Sequence, residues 1–459
     1  MYQIILGEHY VKIRTLISPD EHALIKRITK RFSRLFRHAK EESSTIIDRS
    51  KHTISRKHLS QSAIKTLYRL KDAGFAAYLV GGGVRDLLLG KQPKDFDVVT
   101  NAHPEEIRRL FRNSRIIGRR FRLVHVYYDG NIIEVSTFRA ALSEQTYTDN
   151  ETEIKTDTGM LHRDNTYGGT IEEDAWRRDF TVNALYYNIA DFSVVDYMQG
   201  MTDLKHRVLR MIGDPAQRYH EDPVRLLRAI RLAAKLDFTL ASETETALKQ
   251  LPHLLKHVPT ARLFDESLKL FFAGYSVKTY QLMKHYDYTT ALFPQTMKAL
   301  ANSKDTTNEQ LIQIALRATD KRIQAEESIN HGFLLSVLLW PVLREKMDYQ
   351  KKQPNKRDKF YMKLHQWIHD ILKTQLETLM LPRRLQFVMQ AIWVLQFQLE
   401  RRRPSRVLAI LQHRYFRAAY DFMELRVQAG EINTDCFDWW TTFQIASPDT
   451  QKKMIEQLN

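Results

Sequence analysis

The 459-residue chain is 43% hydrophobic and 27% charged, which is ordinary for a globular protein of two to four domains. A net charge of +16 indicates a polyanionic partner, with nucleic acid the first candidate and an acidic membrane surface the second. The single cysteine excludes an internal disulfide and a cysteine-based zinc site, and no apolar run reaches membrane-spanning length. These features predict a cytoplasmic protein.

Residues 1–58 are predicted to form a basic N-terminal extension with linker-like stretches at 43–45 and 51–57. Six of its basic residues share one side of a predicted helix: Lys26, Arg27, Lys30, Arg31, Arg34 and Arg37. A solvated helix is the simpler interpretation, and peripheral membrane contact through this extension is the alternative.

A glycine-rich turn follows the first predicted helix, 60–74, and a short apolar strand, 77–80. Gly82 and Gly83 belong to this turn, and glycines let the backbone turn sharply and approach a ligand closely. A short helix, 84–89, is predicted to end at Gly90. The free N–H groups at its start suit a phosphate, although such turns are often purely structural.

Two aspartates come directly after this turn, on a strand predicted over residues 95–99. Asp95 and Asp97 are two apart and would share one face of that strand. Such a pair is often a solvated face, but carboxylates are also the ligands that hard divalent cations prefer. A phosphate-binding turn beside a carboxylate pair predicts nucleotidyl transfer by two metal ions.

Two further strands, 123–128 and 131–138, are joined by Asp129-Gly130, a strong hairpin signal. Glu134 alternates with apolar neighbours on the second strand. If this hairpin pairs beside the aspartate strand, Glu134 reaches the predicted metals; the alternative is an ordinary polar position. Residues 143–170 are predicted to be a long loop, and from about residue 203 the pattern is almost entirely helical.

A second constellation opens the helical part. The Glu-Asp-Pro sequence at 221–223 predicts a helix start, with the helix continuing over 224–236. Asp222 and Arg225 are three apart, and Arg225, Arg228 and Arg231 repeat at that spacing. An aspartate and an arginine held on one helix offer an acceptor and a donor to a base edge, whereas a salt-bridged exposed helix has the same composition.

The C-terminal region combines arginine with aromatic residues, a combination that suits single-stranded RNA. The aromatic residues are more commonly core. The arginines predicted to bind RNA are Arg383, Arg384, Arg401, Arg402 and Arg403.

Four motifs in order resemble those of the class II tRNA nucleotidyltransferase and bacterial poly(A) polymerase family, in the DNA polymerase β-like superfamily. They span residues 81–97, 177–184, 199–204 and 221–225. The segment 116–123 is similar to the stretch that marks poly(A) polymerases rather than CCA-adding enzymes, and its Arg119 and Arg120 are predicted to contact RNA.

The resemblance implies an α+β fold in which a nucleotidyltransferase head at 59–202, with a small mixed β-sheet flanked by helices, is followed only by helices. These would form a base-recognising neck at 203–270 and an RNA-binding body and tail at 271–459. The implied activity is template-independent transfer of AMP from ATP to RNA 3′ ends, which marks RNA for turnover. The expected cofactor is a pair of Mg²⁺ ions, with Mn²⁺ as a substitute.

The resemblance also implies a role for each site residue. Asp95 and Asp97 would bind both metal ions, with Glu134 and Asp179 as further carboxylates in the site. The triphosphate would be held by Gly82, Gly83, Arg85 and Arg178. Asp222 and Arg225 match base-pairing positions, and Arg228 and Arg231 match nucleotide-contacting arginines.

The expected partners are ATP, RNA 3′ ends with little sequence preference, and RNA-decay proteins. Two alternatives remain open at this stage. One is a CCA-adding tRNA nucleotidyltransferase, which shares the four motifs. The other is a non-catalytic RNA-binding protein whose nucleotidyl site is vestigial.

Overall fold

An eight-stranded mixed sheet organises the N-terminal half of the chain. The computed structural model describes residues 44–118, 122–140, 167–303, 305–351 and 360–458. The strands of this sheet are β1 (Thr45–Ile47), β2 (Ala77–Val80), β3 (Asp97–Thr100), β4 (Ser114–Ile117), β5 (Leu123–Tyr128), β6 (Asn131–Thr137), β7 (Leu185–Asn188) and β8 (Val194–Asp196). Their order is β1-β8-β7-β2-β3-β6-β5-β4, and only β3 and β6 pair in parallel.

Five short helices flank the sheet. The first, α1, begins after Ser60, whose hydroxyl accepts a hydrogen bond from the Ala63 backbone N–H as an N-cap. Its apolar face, which includes Leu67 and Leu70, is buried in the core. The helices are α1 (Gln61–Asp72), α2 (Gly82–Leu88), α3 (Pro104–Leu110), α4 (Ile171–Trp176) and α5 (Gly200–His206).

The remainder of the chain is helical apart from one small sheet, β9 (Val208–Leu209) paired in parallel with β10 (Thr239–Leu240). The first seven helices of this part are α6 (Pro215–Glu221), α7 (Val224–Leu236), α8 (Ser242–Gln250), α9 (Thr260–Phe271), α10 (Ser276–His285), α11 (Tyr288–Leu292) and α12 (Pro294–Asn302). The later ones are α13 (Thr307–Gln324), α14 (His331–Lys351), α15 (Phe360–Leu376), α16 (Arg383–Arg401), α17 (Val407–Leu411), α18 (Phe416–Gln428), α19 (Asp435–Ile445) and α20 (Pro448–Glu456). Short 3₁₀ turns lie at Arg49–Lys51, Arg56–His58, Thr181–Asn183 and Pro252–His257.

One continuous apolar core runs from one face of the sheet into the helical part. A smaller cluster around Val99 and Tyr186 covers part of the opposite face, and a third surrounds Trp440 near the C-terminus. The predicted α+β class, with a mixed-sheet head followed by a helical remainder, is therefore confirmed.

Several sequence predictions need correction. The linker interpretation of 43–45 is wrong at Thr45, because β1 begins there and pairs with β8 at the edge of the sheet. A strand of the sheet thus lies within the predicted N-terminal extension, 1–58. The prediction of only helices beyond residue 203 missed β9 and β10. The aspartate strand begins at Asp97, so Asp95 lies ahead of it.

Some predictions fall on residues that the structure does not describe: the helix at 25–37, most of the loop at 143–170, and Arg119 and Arg120. Within the described part of the chain, no helix has both the length and the apolar character needed to span a bilayer.

Candidate active site

The glycine turn joins β2 to α2 and brings the backbone close to charged side chains. Gly81 has φ +76°, a conformation that side chains rarely adopt. A Cβ at Gly81 would lie 3.6 Å from Asp97 Oδ2 and 3.8 Å from Arg178 Nη1. A Cβ at Gly83 would lie 3.3 Å from the Asp95 carbonyl oxygen. The turn is thus the floor of a cleft in which a carboxylate and a guanidinium converge.

The carboxylates of Asp97 and Glu134 lie side by side across two strands. Asp97 at the start of β3 is the register partner of Glu134 on β6. Residues paired in this way point to the same face of a sheet. The hairpin thus pairs beside the aspartate strand as the sequence predicted, and this pairing places Glu134 beside Asp97. The catalytic roles of both residues stay predictions.

Negative charge accumulates at this point of the cleft. Solvent reaches the Asp97 side chain, but surrounding protein atoms crowd it. Burial and the neighbouring Glu134 carboxylate raise the pKa of Asp97 to about 6, with Asp95 adding to the effect. The repulsion marks a place where a cation would be stabilised.

The donor set fits Mg²⁺, which takes oxygen ligands and usually binds to one or two carboxylates plus substrate phosphates. Among the described residues, no group of three or more His, Cys, Asp or Glu side chains is close enough to hold a metal by itself. Asp97 and Glu134 would therefore hold the ion from one side, with Asp95 within electrostatic range of Asp97.

Arg178 is fixed beside the turn by two partners. Its Nε and Nη2 donate to Asp174 Oδ2 at 3.1 and 2.9 Å, and its Nε also donates to the Tyr186 hydroxyl at 2.8 Å. Tyr186 in turn donates to Asp174 at 2.7 Å. These bonds leave Nη1 facing the space above Gly81. Because its side chain is already held in one conformation, this arginine would lose little further conformational entropy on contacting an anion in the cleft.

Arg85 holds the turn from below. Its side chain is buried; Nε and Nη2 donate to Asp86 Oδ1 at 2.8 and 2.6 Å, and Nη1 donates to Asn183 Oδ1 at 2.7 Å. Lys235 of α7 donates to the other Asp86 oxygen at 3.4 Å. The contacts of Arg85 go to protein groups, so it ties the turn to the surrounding elements; direct phosphate binding by Arg85 stays a prediction.

Asp179 continues this network toward the helical part. Its Oδ2 accepts hydrogen bonds from Nε and Nη2 of Arg228 at 2.9 and 2.6 Å, and its Oδ1 accepts from Asn183 at 3.1 Å. Burial alone would raise the pKa of the Asp179 carboxyl, but the Arg228 guanidinium and these hydrogen bonds lower it to about 2. The carboxylate thus positions Arg228, and the predicted part of Asp179 as a supporting carboxylate of the site stays a prediction.

Arg231 lies one turn further along α7 and has an unused donor. Its Nε is buried and finds no hydrogen-bond partner. Burial and the neighbouring Arg228 lower the pKa of Arg231, while Glu266 and Asp179 oppose that shift. A buried donor without an acceptor is costly.

The side chains of Asp222 and Arg225 have different partners, although the Arg225 backbone N–H donates to the Asp222 carbonyl oxygen at 3.0 Å. Asp222 follows the end of α6, and its Oδ2 accepts a hydrogen bond from Arg262 Nη2 at 2.9 Å. Arg225 on α7 donates through Nη1 to the Arg218 carbonyl at 2.8 Å and to Glu221 at 3.1 Å. The helix predicted over 224–236 is confirmed as α7, but its predicted start at 221–223 is too early, because Glu221 ends α6 and α7 begins at Val224. Both side chains are nevertheless held in place by these partners.

Comparison with known proteins identifies the family. Poly(A) polymerase I of Salmonella typhi is 47% identical over 418 residues, which cover 90% of this chain and 89% of the relative. Poly(A) polymerase I of Haemophilus influenzae is 43% identical over 418 residues, covering 90% of each. The chain belongs to the poly(A) polymerase family. It is therefore a nucleotidyltransferase of the polynucleotide adenylyltransferase class.

Three family profiles match parts of the chain. They are described as poly A polymerase head domain (residues 77–210), probable RNA and SrmB-binding site of polymerase A (237–300) and polymerase A arginine-rich C-terminus (356–459). The CCA-adding enzyme of Lactobacillus helveticus is 38% identical over only 222 residues, 48% of this chain and 52% of that enzyme. The poly(A) polymerase likeness extends over the helical part, so the CCA-adding alternative is not favoured.

The fold is shared with CCA-adding enzymes. The structure of the Thermotoga maritima CCA-adding enzyme complexed with tRNA_CCA superposes with a TM-score of 0.56 at 20% identity, covering 89% of each chain. At this identity the likeness establishes the fold alone. The head of this poly(A) polymerase family member therefore carries a nucleotidyltransferase scaffold common to both enzyme types.

The C-terminal arginines fall into two separate groups. Arg383 and Arg384 begin α16, and Arg401 ends it, so the groups are about 27 Å apart along the helix. Arg401 and Arg403 line a cavity of about 410 Å³ at the far end. The guanidinium of Arg402 lies 5.8 Å from the centre of the Trp439 ring. The nearby aromatic residues Trp393, Phe397, Phe416 and Tyr420 are buried in the core, whereas Tyr415 is only half-buried and the Arg414 guanidinium lies 4.4 Å from the centre of its ring.

Sequence reasoning missed several residues of the site. Asp174 lies four residues before Arg178, a spacing that favours ion pairs on a helix and could have drawn attention to it. Asn183 stands inside a quoted motif, but nothing in the motif reveals that it bridges Arg85 and Asp179. The Asp222 partner, Arg262, is 40 residues away and carries no local signal.

Proposed function

We propose that this chain transfers AMP from ATP to the 3′ hydroxyl of RNA without a template, through the cleft formed by the glycine turn, Asp97 and Glu134. The new bond joins the 3′ oxygen to the α-phosphorus, and the bond from that phosphorus to the bridging oxygen of the β-phosphate breaks to release pyrophosphate. The observation that carries the proposal is the pairing of Asp97 with Glu134 directly above Gly81.

Asp97 and Glu134, together with Asp95, would hold two Mg²⁺ ions. When bound, Mg²⁺ activates the attacking oxygen and stabilises charge on the leaving group. The protein's contribution is to fix the geometry. The glycine turn allows the triphosphate to approach the backbone, and Arg178 Nη1 supplies a positive charge at the same point. Arg228, oriented by Asp179, and the unsatisfied Nε of Arg231 would contact the nucleotide from α7.

Asp222 and Arg225 would select the base, with side chains in place of a template strand. Arg225 is braced by the Arg218 carbonyl and Glu221, so its remaining donors are presented rigidly. A bound base that covers such a group without pairing with it loses about 1–3 kcal/mol. This is sufficient for a clear preference for ATP.

A cytoplasmic location, RNA turnover as the cellular outcome, and contact with RNA-decay proteins belong to the same proposal. The profile match at 237–300, which names RNA and SrmB, supports an RNA site beside α8 to α12. Membrane contact through the N-terminal extension stays a separate prediction.

The test is the product formed from one generic 20-nucleotide RNA when each ribonucleotide is supplied separately with Mg²⁺ or Mn²⁺. We expect a long adenylate tract from ATP and little extension from the others. A tRNA lacking its CCA end is the second substrate. Addition of CCA followed by arrest would favour the CCA-adding alternative, and no incorporation at all would contradict catalysis.

A further inference from the structure

A row of paired side chains crosses the sheet from the catalytic carboxylates to its free edge. Asp97 on β3 is paired with Glu134 on β6, Glu134 with His125 on β5, and His125 with Arg115 on β4. Side chains of paired residues share a face, so these four lie on one face in a line. At about 4.8 Å per strand, the row measures about 14 Å from Asp97 to Arg115. The His125 ring touches the site directly, with Nε2 3.6 Å from Glu134 Oε2.

The same face carries exposed apolar and aromatic side chains. Tyr127, Ile117 and Ile132 are 37%, 37% and 53% exposed, and Tyr127 and Ile132 are register partners. The opposite face, with Val124 and Val126, belongs to the core. A half-buried sheet ordinarily presents polar residues to water, so these exposed residues suggest a surface that is covered during function.

The free edge of the sheet is basic. A groove of about 650 Å³ beside β4 is lined by Arg108, Arg112 and Arg115 together with Tyr127, and its lining includes no acidic residue among those described. The Tyr127 backbone N–H donates to the Asn113 carbonyl, and the Asn113 side-chain amide donates to the Tyr127 carbonyl, which fixes this corner of the sheet. Positive charge next to a rigid aromatic ring suits phosphates and a stacked base.

We propose that the last nucleotides of the RNA primer lie on this face, with the 3′ end at Asp97 and Glu134. The RNA strand crosses His125 and Tyr127, where a base stacks, and the upstream phosphates of the RNA enter the arginine groove. Charge complementarity and continuity with the carboxylates single out RNA as the occupant. The inference deepens the proposed function and rests on it, and it adds an RNA path separate from the C-terminal arginines and from residues 237–300.

The test compares Tyr127→Ala, Tyr127→Phe and the double variant Arg112→Ala/Arg115→Ala with the wild-type chain. Arg317→Ala, an exposed arginine on α13, is the matched control. Binding of a 5′-fluorescein-labelled 20-nucleotide RNA is measured by anisotropy without ATP. We expect Tyr127→Ala and the double variant each to weaken RNA binding about tenfold, and Tyr127→Phe to retain it. In the double variant, the slope of log affinity against log salt concentration should also fall by about one to two, because phosphate contacts are lost.

Primer length gives the second readout. With a dinucleotide primer, too short to reach the groove, the double variant is expected to match the wild-type KM. With the 20-nucleotide RNA, its KM for RNA rises while its KM for ATP is unchanged. The inference would be overturned if Tyr127→Ala and the double variant both bound RNA with an affinity within twofold of the Arg317→Ala control. It would also be overturned if the double variant changed the KM equally for both primers. If the wild-type chain extends no RNA, the proposed function fails, whereas the anisotropy result still decides the RNA face.

Discussion

Asp97 and Glu134 are partners in the parallel pairing of β3 and β6. Two carboxylates that are 37 positions apart in the chain therefore face one cleft. No described partner other than His125 neutralises Glu134 by an ion pair, and Glu134 helps to raise the pKa of Asp97 to about 6. The two carboxylates repel each other beside the glycine turn, and Arg178 offsets that repulsion only in part. That repulsion is the basis of the first two predictions.

Replacing either carboxylate by its amide should abolish catalysis while preserving the fold. We expect Asp97→Asn and Glu134→Gln each to lower AMP incorporation by on the order of 10³-fold, because an amide is a poor ligand for a hard cation. Labelled-RNA extension measures activity, and anisotropy should show unchanged RNA affinity. Asp129→Asn, at the exposed hairpin turn, is the control and should leave activity intact. Near-normal turnover in either site variant would contradict the metal assignment.

The raised pKa of Asp97 predicts a pH-dependent stability difference. Its folded value of about 6 exceeds its ordinary value of 3.8, so the folded state binds the proton more tightly than the unfolded state. The wild-type chain therefore loses stability as pH rises from about 4 through 6. In EDTA, the Tm of Asp97→Asn should exceed that of the wild type at pH 7.5 but not at pH 4. Mg²⁺ should raise the wild-type Tm at pH 7.5 and so reduce the Tm difference between the variant and the wild type. A Tm difference that is independent of pH would refute this account.

The contact between Asp179 and Arg228 predicts strong coupling of the two residues. Asp179→Asn and Arg228→Gln should each cost about 2–3 kcal/mol of unfolding free energy and raise the KM for ATP, because each breaks the same partly buried pair. The double variant should cost little more than either single one, giving a coupling of at least about 1 kcal/mol in a double-mutant cycle. Since the Asp179 pKa is lowered to about 2, its contribution is present at neutral pH and disappears as pH falls from about 4 through 2. Additive effects with an unchanged KM would favour a direct metal role instead.

The bracing of Arg225 predicts a change in nucleotide choice. Arg225→Ala should lower the ratio of kcat/KM for ATP over CTP by about tenfold, because a base-edge partner is lost. Lys249→Ala, which removes an exposed ion pair with Glu245 on α8, is the control. Competition between the two labelled nucleotides measures the ratio. An unchanged ratio would show that Arg225 does not read the base.

Two glycines that share a positive φ separate strain from function. Gly81 and Gly90 have φ of +76° and +71°, so an alanine at either position costs about 1–3 kcal/mol. Only at Gly81 does the added methyl group contact Asp97 and Arg178; at Gly90 it meets nothing within 4 Å. Gly81→Ala should therefore lose activity as well as Tm, whereas Gly90→Ala should lose only Tm. Equal activity losses would indicate that the turn has no part in binding the nucleotide.

Much of the active site was predictable because its signals are local. The strand before the glycine turn, the turn itself, the hairpin at Asp129-Gly130 and the alternation around Glu134 depend on backbone preferences and on neighbours a few residues apart. The length of the aspartate strand was overestimated, because the alternation of Asp95 and Asp97 persists where the chain is no longer paired. The order of the elements followed from the same local patterns.

By itself, the sequence determined which residues are the candidates for the chemistry: the glycines at 81–83, the carboxylates at 97 and 134, and the arginines of α7. Only the tertiary structure decided what each of them faces. Asp179 meets Arg228 across 49 residues and Asp222 meets Arg262 across 40, while β1 joins the sheet through β8. Buried charges must find partners wherever packing brings them, and spacing along the chain does not encode that choice.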